Sequence, residues 1–453
     1  MRAGIAKANI TPPVGVDLTG YVGRQGPSTK VHDELFATAL VLDDGATRVG
    51  IVSVDIVGTD LAQDAALRES MSKATGIAPE NLMIASTHTH SGPALGILRQ
   101  CGEPDDGYIR RLFAQIASVA KEACENLAEA KIAYVRGESE LALNRREWVI
   151  NAGVQQSPTS GVVTDPEISG LVIEFAEGEK QIPRSARNDE GGVRNDEAPK
   201  PVMLFNYACH GVVMGGDNLE ISADWIGAAR NALESSGKIG IAIFLQGCCG
   251  NINPRWRGSF DEVKRAGESV ANPLLADLPN ARPFADPKLR VAWARVDLPY
   301  MPLPSEEALE QEISFQRVEI ERLQTGGNTA LLQVARAMAG WAQDSLKLLN
   351  DGGGPESVTV GLQVVRIGDA VLVTHPGEAF CEFGLAFRKM TSHAVLPVAY
   401  ANGNIGYIPT AEAYPEGGYE VDNAIRYYGE KMIGPESEGI ILNAVKRLLA
   451  EVE

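Results

Sequence analysis

The stretch RVGIVSVDIVG, residues 48–58, is a short run of mainly β-branched apolar residues that predicts a buried β-strand. It is followed by DLAQDAALRESMSKATG, residues 60–76, which has helical periodicity and closes on glycine, and then by a second apolar run, NLMIAS, residues 81–86. A strand, a crossover helix and a further strand are typical of an α/β sheet. The region around residues 48–58 therefore predicts the α/β class.

The same alternation continues along the rest of the chain. Strands are predicted at 167–176, 201–209, 239–247, 365–374 and 395–401, and helices at 108–130, 224–237 and 435–452. The strands at 167–176 and 201–209 are expected to pair with each other. Together these elements predict an α/β protein with a mixed, largely parallel β-sheet core flanked by helices.

Two segments do not follow this alternation. Residues 305–350 read as two helices separated by TGGN, which predicts a helical hairpin insertion. Residues 181–200 are polar, contain RNDE twice and show no apolar period, which predicts a mobile insertion at the tip of a hairpin. No Pro-rich or Ser-rich linker divides the sequence, so we expect a single domain over residues 1–453.

The composition excludes several classes of partner. The formal net charge is −18, whereas nucleic acids and anionic membranes are polyanions that proteins approach through Lys/Arg clusters. No uncharged apolar run reaches the length of about 18 residues that a membrane span needs, so no integral membrane association is expected. The sequence starts without an apolar signal region, which predicts a cytoplasmic protein. We expect a small-molecule substrate, and the oligomeric state stays open, a homo-oligomer included.

Side chains that can bind a metal or move a proton follow the predicted strands at the point where each strand ends. They are His88, His90, His210, Glu378 and Tyr407, together with the Gly-rich turn GCCGNINP at 247–254. In open α/β sheets the loops beyond the carboxyl ends of the strands converge on one crevice. These residues are therefore predicted to share one site.

The chemistry that fits this set is a divalent metal, Zn²⁺ above all. Two neutral imidazoles and one carboxylate bind zinc and leave a position open for water, which the metal activates as a nucleophile. In the pair His88 and His90, both rings could bind one metal, or one could bind while the other handles protons. Taken singly, His210 could be a packed core ring, Glu378 a turn carboxylate and Tyr407 a packing aromatic. The prediction of a metal site rests on the fact that all of these residues follow predicted strands.

With these residues in place, the sequence resembles the catalytic N-terminal domain of the neutral/alkaline (non-lysosomal) ceramidase family. The resemblance runs in order along nearly the whole chain, and STHTHSGP at 86–93 is a highly specific part of it. The other matching segments are AGIAKANITPP (3–13), VHDELFATALVL (31–42), IVSVDIVG (51–58), LNRRE (143–147), NYACHGVV (206–213), ISADW (221–225), LQGCCGNINP (245–254), VRIGDAVLVTHPGE (365–378) and IGYIPTAEAY (405–414).

The resemblance implies a set of zinc ligands and a set of catalytic residues around them. The implied zinc ligands are His88, His210, Glu378 and Tyr407. His90 lies nearby in the implied site, where we expect it to relay the proton, and Arg145 would bind the developing oxyanion. A second tyrosine faces that oxyanion in the family; spacing favours Tyr419 for it, and Tyr414 is the alternative.

The sequence departs from the family in the turn that carries a catalytic serine. The family turn reads G-D-V-S-P, and this chain reads GNINP, so that Asn251 replaces the acid and Asn253 the serine. An amide side chain cannot serve as an acyl-accepting nucleophile, although it can donate a hydrogen bond, so Asn253 stays a candidate catalytic residue. The chain also ends where ceramidases continue into an immunoglobulin-like C-terminal domain, and we expect no such domain here.

These observations predict a zinc-dependent hydrolase that cleaves an amide (N-acyl) bond by attack of metal-bound water. Ceramide itself is a doubtful substrate for an acidic cytoplasmic protein. One alternative keeps the site but changes the bond to an ester or a lactone. Another alternative, motivated by the loss of the serine, is a non-catalytic metal-binding or ligand-binding homologue.

Overall fold

The computed structural model of the chain describes residues 1–149, 153–159, 162–176 and 200–453. The strands are β1 Arg2–Asn9, β2 Lys30–Val31, β3 Phe36–Asp43, β4 Arg48–Val54, β5 Leu82–Ser86, β6 Ala128–Glu138, β7 Ala142–Val149, β8 Gly153–Thr159, β9 Glu167–Phe175, β10 Val202–Tyr207, β11 Glu220–Ile221, β12 Ile241–Gln246, β13 Ile252–Pro254, β14 Arg282–Pro283, β15 Leu289–Pro299, β16 Ser357–Ile367, β17 Ala370–Thr374, β18 Glu378–Ala379, β19 Ala394–Val398 and β20 Tyr407–Ile408. The helices are α1 Leu61–Thr75, α2 Asp106–Glu125, α3 Asp224–Ser235, α4 Phe260–Asp277, α5 Glu306–Gly326, α6 Thr329–Asn350, α7 Cys381–Arg388, α8 Ala413–Glu416, α9 Ala424–Tyr428 and α10 Glu436–Val452.

The main sheet has the strand order β12-β10-β9-β6-β1-β3-β4-β5, with β14 paired to β6. The pairs β4–β5 and β10–β12 are parallel, and the helices α1 and α3 connect their strands. The strand β9 pairs with β10, as the sequence predicts for 167–176 and 201–209. The predicted class, a mixed sheet flanked by helices, is confirmed.

The strand directions differ from the prediction of a largely parallel sheet. Antiparallel pairing joins β1 to β3, β3 to β4, β1 to β6, β6 to β9 and β9 to β10. Most of these strands are buried on both faces, because a second sheet or helices cover each side. A strand that is buried on both faces reads as a continuous apolar run whether its neighbour is parallel or antiparallel, so the apolar pattern does not report direction.

The segment VRIGDAVLVT, predicted as one strand over 365–374, forms parts of two strands. The strand β16 ends at Ile367 and β17 begins at Ala370, and the two pair as an antiparallel hairpin. Gly368 has a φ of 58°, a left-handed conformation that glycine adopts without a steric penalty. The dipeptide Gly-Asp is therefore the turn of a hairpin.

The second sheet, with the order β15-β16-β17-β19, packs face to face on the main sheet. The apolar layer between them includes Ile5, Leu204 and Ile243 from the main sheet and Val365 and Leu396 from the second. The helices α1 to α4 cover the other face of the main sheet, and α7 and α10 cover the second sheet. The result is two packed sheets between two layers of helices.

Helix α1 shows how the local sequence sets the ends of an element. Asp60 caps its N-terminus by accepting a hydrogen bond from the backbone N–H of Gln63, and the Gln63 side chain accepts one from the Asp60 N–H. Gly76 ends the helix in a left-handed conformation with φ 72°. The helix thus begins and ends where the sequence predicts.

The predicted helical hairpin over 305–350 is confirmed, since α5 and α6 pack along each other on either side of the TGGN break. The predicted insertion at 181–200 lies outside the described residues, apart from Lys200. Within the part of the chain that the structure describes, no helix has the length and apolarity needed to cross a membrane.

The packing between the two sheets predicts a large stability difference between two identical substitutions. Leu204→Ala removes a fully buried side chain from this layer and should lower the free energy of unfolding by about 2–5 kcal/mol. Leu331→Ala, on a side chain that is 50% exposed, is the matched control and should change it by less than about 0.5 kcal/mol. Urea unfolding measures both, and equal effects would contradict the two-sheet core.

Candidate metal centre and active site

The strand ends bring the predicted site residues together on one cavity. His88 and His90 follow β5, His210 follows β10, and Glu378 begins β18. The strand β18 pairs in parallel with β20, which places Glu378 opposite Tyr407. All five side chains line a cavity of about 240 Å³. The convergence expected of strand ends thus holds even though much of the sheet is antiparallel.

Backbone carbonyl groups fix the ring orientation of two histidines. The Nδ1 atom of His88 lies 2.6 Å from the carbonyl oxygen of Val57, and Nδ1 of His210 lies 2.7 and 2.9 Å from those of Cys249 and Ile252. A carbonyl oxygen only accepts hydrogen bonds, so each Nδ1 must carry the hydrogen. In the neutral ring, Nε2 is then a bare lone pair, which is the form that binds a metal.

These lone pairs converge on a carboxylate. The Nε2 atoms of His210 and His88 lie 3.1 and 3.5 Å from Oε2 of Glu378, and Nε2 of His90 lies 3.1 Å from Nε2 of His88. The nitrogen atoms of the three histidines that could hold a metal ion lie within 4.8 Å of one another. Lone pairs and a carboxylate that face each other repel unless a proton or a metal ion lies between them. The donor set therefore fits a metal ion.

Burial keeps the ligand atoms in the protonation states that metal binding needs. It is the main cause that lowers the pKa of His210 to about 4, so this ring is neutral at pH 7. Burial also acts to raise the pKa of Glu378, but His88 and His210 outweigh it and hold that pKa well below its usual value. Glu378 is therefore an ionised carboxylate beside a neutral imidazole.

Two tyrosines that the sequence did not reveal hold Glu378. Tyr400 donates a hydrogen bond to Oε2 at 3.3 Å, and Tyr428 donates one to Oε1. The Tyr400 ring also stacks on His88, with ring centroids 4.0 Å apart. Tyr400 lies inside the strand predicted over 395–401, but the observed β19 ends at Val398, so Tyr400 also follows a strand end, and a shorter predicted strand could have revealed it. Tyr428 lies on a short helix, and nothing in its local sequence distinguishes it.

The backbone at His88 is strained. Its φ is 62°, and that of the stacked Tyr400 is 53°, in a left-handed region that costs a non-glycine residue on the order of 1–3 kcal/mol. The His88 N–H donates to the carbonyl oxygen of Ile56 at 3.0 Å, which holds the backbone in this conformation. The fold therefore maintains a ring direction that an extended strand would not give.

Arg145 lies at the centre of a second group of polar side chains in the cavity. It donates hydrogen bonds to Tyr407 Oη at 2.9 Å, to Asn253 Oδ1 at 3.3 Å and to Glu420 Oε1 at 2.8 Å. Burial acts to lower the pKa of Arg145, but Tyr407 and Glu420 outweigh it and raise that pKa well above its usual value. The guanidinium is a fixed positive charge beside the histidine cluster.

Glu420 is a further residue that the sequence did not reveal. It is fully buried and also accepts a hydrogen bond from Arg146 at 2.7 Å. It lies in a π-helical turn, Tyr419–Asn423, a local geometry found mostly at functional sites. The sequence places a glutamate after Tyr419 but gives no sign that it turns inward.

The two asparagines of the GNINP turn have different environments. Asn251 donates to Glu382 at 2.9 Å and accepts from the Cys381 N–H at 2.9 Å, so it ties the turn to α7. Asn253 lines the cavity and accepts from Arg145. Of the two departures from the family pattern, only Asn253 faces the site.

The structure separates the two tyrosines that the sequence left open. Tyr419 lines the cavity, and its ring centroid lies 5.9 Å from that of Tyr407. The Tyr414 hydroxyl instead donates to the carbonyl oxygen of Ile433 at 2.8 Å, and Tyr414 does not line the cavity. The geometry therefore favours Tyr419.

Residues 1–182 match the model of the family described as neutral/alkaline non-lysosomal ceramidase, N-terminal. Two of the relatives are neutral ceramidases of Drosophila pseudoobscura pseudoobscura and Drosophila melanogaster, each 24% identical over 277 residues, or 57% of this chain. A third, the neutral ceramidase of Mycobacterium tuberculosis, is 25% identical over 399 residues and 75% of this chain. The predicted family resemblance is confirmed.

The matches span only part of these neutral ceramidases, 36% of each fly protein and 60% of the mycobacterial one. The solved neutral ceramidase from Pseudomonas aeruginosa has a TM-score of 0.69 and 19% identity, covering 99% of this chain and 73% of that one. A structure described as ceramidase complexed with C2 gives 0.71, again at 19% identity, and covers 100% of this chain and 76% of that one. At this identity the two structures show a shared ceramidase fold.

The convergence of lone pairs predicts that His210 is needed for metal binding. His210→Ala should weaken zinc affinity more than about 100-fold, because even an outer-shell partner of a metal ligand contributes about 10–100-fold. Zinc titration with a competing chelator measures the change. His393→Ala, which removes a histidine far from the cluster in sequence and outside the cavity, is the matched control and should keep the affinity of the parent protein. Equal affinity in both variants would contradict the assignment.

Proposed function

We propose that the chain is a zinc-dependent hydrolase that cleaves an N-acyl amide. The observation that carries the proposal is the cluster of three histidines and Glu378 facing one cavity, with the fixed charge of Arg145 beside it. The relatives are called neutral ceramidases, and ceramide is an N-acyl amide, which supports the bond type.

His88, His210 and Glu378 would hold the zinc ion, with Tyr407 as the fourth protein ligand. Their atoms are the nitrogen and oxygen donors that zinc prefers, and the carbonyl contacts at both Nδ1 atoms leave Nε2 free for it. When bound, zinc would polarise the acyl carbonyl and lower the pKa of a water molecule.

His90 is placed to move the proton. Its Nε2 atom faces the cluster, and its Nδ1 atom has no hydrogen-bond partner among the described residues. Its Nδ1 atom is therefore not held by a backbone carbonyl group, in contrast to those of His88 and His210. His90 takes the proton from the attacking water and delivers it to the nitrogen of the leaving amine.

Arg145 stabilises the negative charge that develops on the acyl oxygen. It keeps its proton at all working pH values, and Glu420 and Asn253 hold its guanidinium in position. Tyr419 lines the cavity next to Tyr407 and supplies a hydroxyl donor to the same oxygen. Asn253 accepts from Arg145 through Oδ1, which leaves its NH₂ group as a donor to the substrate.

The cavity volume favours a small or partly protruding substrate. At about 240 Å³ it has room for on the order of eight water-sized groups, whereas the two chains of a ceramide need several times that space. We therefore propose a compact N-acyl compound, or one of which a part lies outside the cavity.

Removal of the metal tests the proposed reaction. Chelation should abolish hydrolysis of N-acyl amines, and added zinc should restore it. The reason is that zinc would act as the Lewis acid that polarises the acyl carbonyl group. His90→Ala should lower kcat by about 10²–10⁴-fold with zinc content unchanged, the range for loss of a general acid–base group. Amine release measures turnover, and His393→Ala is the control.

Full activity in a metal-free sample would contradict the proposal. Turnover of matched esters but not of amides would indicate the esterase or lactonase alternative. Zinc binding without turnover of any acyl compound would indicate a non-catalytic binding protein.

The buried contact between Glu420 and Arg145 predicts a positioning role for Glu420. Glu420→Gln should lower kcat more than it changes KM, because a misaligned guanidinium weakens binding of the transition state rather than of the substrate. The loss should approach that of Arg145→Ala, about 10²–10³-fold. Glu416→Gln is the matched control, since this half-exposed carboxylate pairs with Arg146 and, among the described residues, makes no ion pair with Arg145. Equal kcat values for the two glutamine variants would exclude the positioning role.

A further inference from the structure

The cavity walls carry a different charge balance from the rest of the chain. The sequence has 59 acidic and 41 basic residues. Among the described residues that line the cavity, however, Glu378 is the one acid, whereas Arg145 and Arg257 are both cationic. The cavity is therefore a locally positive site in a strongly negative protein, and such a site attracts anions.

The charges of two of these residues already have partners. Glu378 faces the histidine cluster, and Arg145 makes a buried ion pair with Glu420. Arg257 makes no ion pair with a carboxylate among the described residues. Its charge is thus available to a ligand.

Two hydrogen bonds anchor the loop of Arg257 to the segment that follows His210, and Arg257 lines the same cavity as the histidines. Its Nε atom donates to the carbonyl oxygen of Val212 at 3.1 Å, only two residues after His210. The next N–H, that of Gly258, donates to Val213 at 2.8 Å and holds the loop to the same segment. This anchoring uses Nε, and the guanidinium also donates a hydrogen bond to the Tyr21 hydroxyl, so its other terminal N–H groups remain for a ligand.

Tyr21 connects Arg257 to the other side of the site. Its ring centroid lies 5.2 Å from that of His90, and its hydroxyl accepts a hydrogen bond from the Arg257 guanidinium. The buried guanidinium of Arg24 lies over the same ring, 5.3 Å from the centroid, and donates only to backbone carbonyls. A second cation without a carboxylate partner among the described residues thus adds to the positive potential next to His90.

We propose that the substrate is an N-acyl compound whose amine portion carries a carboxylate, as in an N-acyl amino acid, and that Arg257 binds this group. The inference rests on the proposed amide hydrolysis and names its substrate class. The terminal N–H groups of Arg257 that Tyr21 does not engage can donate to a carboxylate, and the bond would be charge-assisted on both sides.

A pair of substrates of nearly equal size tests the inference. N-butanoylglycine carries the carboxylate, and N-butanoylethanolamine has a neutral hydroxyl in its place. The zinc-loaded protein should have a kcat/KM about 10–100-fold higher for the glycine compound, the range for a charge-assisted hydrogen bond, and added salt should reduce this preference.

Two variants on one loop assign the preference to Arg257. Arg257→Gln should remove it by raising KM for the glycine compound, and Arg257→Lys should restore part of it because the charge returns. Arg255→Gln is the matched control, since Arg255 lies two residues away, donates to the carbonyl oxygen of Glu140 and does not line the cavity. It should keep the preference of the parent protein.

The outcomes separate this inference from the proposed function. Equal turnover of both substrates, or a preference that survives in Arg257→Gln, would overturn the inference and leave amide hydrolysis standing. If neither compound is cleaved, the proposed hydrolysis fails, and calorimetry on the same zinc-loaded samples decides the inference. Selective binding of the glycine compound that Arg257→Gln abolishes would support it, and equal or absent binding would overturn it.

Discussion

The hydrogen bonds from Nδ1 of His88 and His210 to backbone carbonyl groups determine what this site can do. They fix the tautomer of both rings, direct both Nε2 lone pairs at Glu378 and create a set of acceptors that only a cation can reconcile. The carbonyl groups belong to segments that follow β4 and β12, so the sheet itself sets the ring directions. The stacking of Tyr400 on His88 and the left-handed backbone at His88 then support ring orientations that the main-chain carbonyl groups have already set.

Much of the fold and the site could be predicted, because both depend on periodicity and on strand ends. The runs at 48–58 and 81–86 and the helix between them lie where the sequence places them. The strands that the site residues follow belong to the parallel pairs β4–β5, β10–β12 and β17–β19, and the polar residues after these apolar runs meet in one cavity. His90 and Asn253 lie in the cavity for this reason, whereas Arg145 lies inside β7 and was predicted from the family resemblance.

The remaining features depend on long-range packing that leaves no local pattern. Strand direction did not show in the apolar runs, since burial on two faces removes the alternation that separates the two pairings. Glu420 and Tyr428 point inward because of a π-helical turn and a short helix, and neither has a distinctive spacing. His375 shows the converse: it lies three residues before Glu378, yet its ring packs on Phe383 and Phe387, away from the cluster.

The shared carboxylate of Glu420 makes the roles of its two arginines unequal. If Arg145 is lost, Glu420 still has Arg146 as a partner, so no buried charge is left uncompensated. If Glu420 is lost, Arg146 still pairs with the half-exposed Glu416, but the buried Arg145 is left with the uncharged partners Tyr407 and Asn253. Mutational effects across these three positions should therefore be strongly non-additive. During evolution, Arg145 could therefore be replaced while Glu420 is retained. Replacement of Glu420 before Arg145 would be far harder.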